Sequence, residues 1–96
     1  MGHEPAFVRP AVVVSTDLVN NGPGELVILV PIGSTGYGLR SHIALEPGSS
    51  GLDRTSYARC DQIRVASTAR LVRRRGTLTA DQMHLIDRAL RFILEL

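Results

Sequence analysis

The chain contains no lysine and no tryptophan, a single cysteine, few aromatics and no long apolar run. Each absence excludes something. Cys60 alone cannot close an internal disulfide or build a structural zinc site, and it reads as a small buried hydrophobe. No apolar run approaches the roughly 20 residues that span a bilayer. The segment after Met1 lacks the basic-then-apolar layout of a signal peptide, so the expected compartment is the cytoplasm, away from any membrane. No P-loop, dinucleotide glycine pattern, HExxH or paired CxxC occurs, and neither cofactor nor metal is expected. The histidines His3, His42 and His84 are scattered. Ser15, Ser34, Ser41 and Ser67 lack a nucleophile-elbow context, which leaves no recognisable triad.

What is present suits one small globular domain over residues 1–96. Hydrophobic residues make up 44% of the chain and charged residues 21%, the balance of a folded protein rather than a disordered one. A core of this size leaves little stability to spare, and a homodimer would supply what one chain lacks. The formal net charge is only +2, but its distribution is uneven. All eleven cations are arginine, and seven lie between Arg54 and Arg75 against one acid, Asp61. Arginine offers phosphate a planar fork of donors and stacks on bases, which points to a nucleic-acid partner. GC-rich coding produces the same bias.

Patterning gives a mostly β chain with a terminal helix. Residues 9–15, RPAVVVS, form a β-branched run with proline at its start, and 25–32, ELVILVPI, form a second. The turn-rich DLVNNGPG between them predicts a hairpin. Three glycines in GSTGYG, residues 33–38, predict a loop whose backbone approaches a ligand closely. A third strand is expected over 39–45 and a further strand region over 56–66. Residues 68–74 are either a short helix or a basic loop. Thr79 with Gln82 forms a capping box ahead of Met83, Ile86, Leu90 and Ile93, which predicts a helix over 80–94 with Ala89 and Leu94 widening its apolar face. The class is α+β, in the size range of SH3-like barrels.

Five segments fall in a telling order. Glu4 lies five residues before Arg9; Arg9 opens RPAVVVS; VPIGST, DQIR and RRGTL follow, the last leading into the capped helix. In order and spacing the chain resembles the MazF/PemK/Kid toxins over nearly its whole length. That resemblance implies a small barrel of the MazF/Kid/CcdB type and a sequence-specific, metal-independent, ribosome-independent endoribonuclease. Such an enzyme cuts single-stranded RNA, whether mRNA, rRNA or tRNA, to a 2′,3′-cyclic phosphate and a 5′-OH end. A carboxylate takes the 2′-OH proton and an arginine neutralises charge on the phosphorane. By similarity these are Glu4 and Arg9. A MazE-like antitoxin with an acidic, disordered tail is the implied partner.

Two departures stand out. Where the family carries threonine after the VP pair, this chain has Gly33, so Ser34 or Thr35 is the candidate hydroxyl, or Gly33 offers only its backbone N–H. The family's opening strand also precedes the segment with which this chain begins, so either the natural chain is longer or a neighbouring strand or dimer partner covers the edge. For RNA binding the candidates are His3, Gly33, Tyr37, Arg40, Asp61, Gln62, Arg73, Arg74 and Arg75. Tyr37 either stacks on a base or folds onto the core. The Asp61–Gln62 pair either contacts a base edge or ties loops together. Other readings are a non-catalytic RNA-binding barrel and a gyrase-poisoning CcdB-like toxin, for which the missing tryptophan is unfavourable.

Overall fold

The computed structural model describes residues 9–48 and 50–96; His3 and Glu4 lie outside them. The elements run β1 (Ala11–Val13), α1 (Asp17–Asn20), β2 (Leu26–Gly33), β3 (His42–Leu45), β4 (Ser56–Arg59), a 3-10 turn (Cys60–Gln62), β5 (Arg64–Ser67), a second 3-10 turn (Thr68–Arg70) and α2 (Ala80–Leu94).

The long apolar run forms β2, and β2 organises the sheet. On one edge it pairs antiparallel with β1, Val12 opposite Val30. The two strands make the expected hairpin, and a single helical turn, α1, occupies the connection. Ser15 Oγ accepts from Ile28 N at 2.9 Å and so pins the hairpin at its loop end. On the other edge β2 pairs with β5 over Leu26–Leu29 and with β4 over Ile32 and Gly33. The strand region expected over 56–66 is therefore two strands along one edge, interrupted where Cys60–Gln62 coil into a 3-10 turn. Strand β3 pairs outside β4, giving the order β1-β2-β4-β3 with β5 continuing beside β2.

The sheet does not close into the expected barrel among the described residues. Among the described residues the outer edge of β1 has no strand partner, and α2 lies across the sheet. The core gathers there: Val12, Val30, Leu45, Ala58 and Cys60 from the sheet side meet Ile86 and Ala89, with Met83, Leu90 and Ile93 packed against them. The helix begins as expected, with Thr79 Oγ1 accepting from Gln82 N at 3.1 Å and Gln82 Oε1 accepting from Thr79 N at 2.8 Å. Its apolar face is narrower than expected, because Leu94 is exposed at the final turn. Residues 71–79 connect the second 3-10 turn to α2 without regular structure, so the basic loop prevails over a helix at 68–74.

Candidate RNA-cleavage site

The β1–β2 register sets the site. Ile32 N donates to Pro10 O at 3.2 Å, which holds the segment before β1 against the end of β2 and brings Arg9 beside Gly33. At this corner a cleft of about 230 Å³ opens, lined by Arg9, Gly33 and Ser34, by Arg54 and Arg75, and by Asp53 over a floor that includes Pro10, Ile32 and Leu52. Three arginines face one aspartate. A phosphodiester is the natural occupant of such a charge balance, since guanidinium pairs with phosphate oxygens through parallel N–H donors.

Arg75 reaches the cleft because the connection to α2 crosses the turn before β4. At Gly51, φ is +76° and an added Cβ would stand 2.9 Å from the carbonyl carbon of Arg75; the two backbones touch only because there is no side chain. Arg75 Nη2 then donates to Gly51 O at 3.0 Å and lies 4.0 Å from Asp53 Oδ2.

Of the residues singled out from the sequence, Arg9, Gly33, Ser34 and Arg75 meet in the cleft. Thr35 is exposed and does not line it, which makes Ser34 the nearer hydroxyl. Gly33 is the last residue of β2 rather than part of the loop. Arg73 and Arg74 are exposed on the connection and outside the cleft; Arg74 donates to Thr77 Oγ1 at 2.7 Å. Arg40 sits over the ring of Phe92 on α2, 4.5 Å from its centroid, and does not line the cleft.

Tyr37 joins a second group on the loop side of β4. Its ring meets that of His42 edge-on at 6.0 Å and has the Arg59 guanidinium 5.5 Å from its centroid, yet Tyr37 remains 61% exposed. It neither folds into the core nor stands free. Asp61 holds the buried His42 through Nε2 at 3.0 Å, which favours the loop-tying role over base contact. Gln62 is exposed beside it.

Sequence reasoning passed over Arg54, Asp53 and Arg59. Arg54 belonged to the basic window, but seven arginines in one stretch do not say which face the cleft; the glycine-rich turn just before it was the available signal.

Residues 1–94 match the family described as PemK-like, MazF-like toxin of type II toxin-antitoxin system. The chain belongs to this toxin family. A curated relative, the probable endoribonuclease MazF5 of Mycobacterium tuberculosis, is 37% identical over 82 residues, covering 85% of this chain and 74% of the relative. Among solved structures, the Mycobacterium tuberculosis toxin MazF-mt6 superposes with a TM-score of 0.82 at 25% identity, over 92% of this chain and 87% of that one. A MazE-MazF crystal structure from Deinococcus radiodurans shares the fold with a TM-score of 0.77 at 24% identity, over 92% and 83% of the two chains. In fold, then, this MazF-like toxin is an antiparallel sheet with a C-terminal helix, similar to these solved toxins.

Proposed function

We propose that this toxin is a metal-independent endoribonuclease that cuts single-stranded RNA at a short sequence and works as a homodimer. The observation that carries the reading is the convergence of Arg9, Gly33 and Ser34 in one cationic cleft, in a family with a curated relative bearing an endoribonuclease name.

In this reading the ribose 2′-oxygen attacks the adjacent phosphorus, the bond to the 5′-oxygen breaks, and the products are a 2′,3′-cyclic phosphate and a 5′-OH end. The 2′-OH gives up one proton and the departing 5′-oxygen takes one. Arg9, brought beside the end of β2 by the Pro10–Ile32 bond, neutralises the extra charge on the phosphorane. Ser34 Oγ is the donor available beside it, since the Gly33 N–H is turned toward Tyr57 across the β2–β4 pair. Glu4, assigned by similarity as the base, lies outside the described residues. Arg54 and Arg75 bind flanking phosphates, which adds affinity without sequence choice. A MazE-like antitoxin with an acidic tail would compete for the same cationic surface; the family's description as a toxin-antitoxin member supports this partner.

The test is incubation of the purified protein with a long single-stranded RNA in EDTA, with mapping of new 5′ ends, alongside Arg9→Ala. Cuts at one short word bearing 5′-OH ends, with rates reduced at least about 100-fold in the variant, are the expected result. RNA that is bound but never cut would replace the nuclease by a non-catalytic RNA-binding protein.

A further inference from the structure

The cleft holds an acid where a phosphodiester needs none. Asp53 is the one carboxylate among the residues that line it, and beside a bound phosphate it repels. Internal pairing does not account for its presence. Its ion-pair partner among the described residues is Arg75, with Nη2 4.0 Å from Oδ2, too far for a hydrogen bond. That nitrogen already donates to Gly51 O. With the Asp53 side chain 91% exposed, so loose a pair contributes little to stability.

The loop that carries Asp53 is nevertheless held at both ends. Before it, Leu52 is buried in the core and Gly51 lies against the Arg75 backbone. After it, Ser56 is buried and its Oγ donates to Arg54 O at 3.1 Å, while Thr55 Oγ1 donates to the Glu46 carboxylate just beyond β3. Asp53 and Arg54 are thus presented side by side from a fixed support, with the acid at the rim of the cleft and facing solvent.

A carboxylate accepts hydrogen bonds and donates none, so its counterpart on a substrate is a donor. A nucleotide strand whose phosphates lie against the arginines offers two kinds, the ribose hydroxyl and the amino groups of the bases. The sugar stays with the phosphate inside the cleft. The base projects away from the backbone, towards the solvent side that Asp53 faces.

We propose that Asp53 is a base-reading residue: its carboxylate accepts from the amino edge of an unpaired adenine, cytosine or guanine flanking the cut, and so excludes uracil there. Uracil carries a carbonyl oxygen in place of the amino group, and the carboxylate repels it. The proposal rests on the RNA-directed reading of the cleft and deepens it. Arg54 and Arg75 hold phosphates of any sequence; the acid between them adds choice.

The experiment compares the parent with Asp53→Ala and Asp53→Asn, each verified as folded by thermal unfolding. Cleavage words are mapped on long single-stranded RNA in EDTA. Binding is measured separately with fully 2′-O-methylated oligo-C and oligo-U, which differ at the pyrimidine edge and carry no ribose hydroxyl. Asp53→Ala is expected to lower the oligo-C to oligo-U affinity ratio about tenfold, as for loss of one hydrogen bond to a charged group. Its cleavage word should admit uracil at one flanking position where the parent has none. Asp53→Asn should admit uracil as well, because an amide both donates and accepts.

An unchanged affinity ratio in both variants would overturn the proposal, and so would an unchanged word. Equal tightening of oligo-C and oligo-U in Asp53→Ala would overturn it too, reducing the acid to a balance of charge. A parent that binds RNA but cuts nothing fails the nuclease reading alone, because the affinity ratios still test Asp53. A parent that binds neither oligonucleotide removes the RNA-directed reading and this proposal together.

Discussion

Two glycines show how differently one missing side chain can act. At Gly33 the neighbour is the end of the Arg59 side chain, which can swing away, so substitution there disturbs the fold little. At Gly51 the neighbour is the backbone of Arg75 and φ is +76°, so neither side can yield cheaply. Gly51→Ala is expected to cost about 2 kcal/mol or more from left-handed strain and clash together. A thermal melt would show this as a midpoint roughly 8 °C lower or worse. Because the crossing at Gly51 also carries Arg75 into the cleft, any folded fraction of that variant should bind RNA more weakly. A variant as stable as the parent would mean that the two backbones do not need to touch.

Among the elements, α2 is the most locally determined. Its start is fixed by the reciprocal Thr79–Gln82 bonds and its inner face by residues spaced three and four apart, so local rules suffice to locate it. Thr79→Ala should lower stability by about 0.5–2 kcal/mol, measured by urea unfolding with an unchanged m-value; no loss would show that packing of Ile86 and Ala89 alone sets the helix. The hairpin was legible for similar reasons, since two β-branched runs flank a turn-rich segment. What pattern reading missed are the features that depend on pairing across the chain. The 3-10 turn at Cys60–Gln62 interrupts a run that reads as continuous strand, because that edge serves β2 twice, through β4 and through β5. Likewise Arg9, Gly33, Ser34 and Arg75 could be chosen from the sequence, whereas Arg54 and Asp53 gained their places in the cleft only from the neighbours that long-range pairing gave them. Arg40 went the other way, drawn onto the exposed Phe92 ring.

At the scale of the whole molecule, sheet and helix meet around Cys60, which is fully buried. Burial, reinforced by the nearby Asp61 charge, pushes its thiol from 9.0 up to about 11. Below pH 9 the thiol is neutral whether the chain is folded or not, and the group costs nothing. Between pH 9 and 11 the unfolded chain releases this proton and the folded one keeps it, so stability falls as pH rises through that window. Unfolding midpoints measured from pH 8 to 11 should therefore decline more steeply in the parent than in Cys60→Ala, a comparison in which the other groups cancel. Parallel curves would show that the thiol titrates freely in the folded state.

The cleft draws its lining from Arg9 at one extreme and Arg75 at the other, so most of the chain must exist before the site does. A protein that destroys RNA is itself written in RNA and emerges from the ribosome amino end first. Until Arg75 has been added and the connection has crossed Gly51, the growing polypeptide holds β2 and Arg9 but no complete cleft. With the proposed site spread this widely along the sequence, the message that encodes the toxin lies nearest to it while that site is still unfinished.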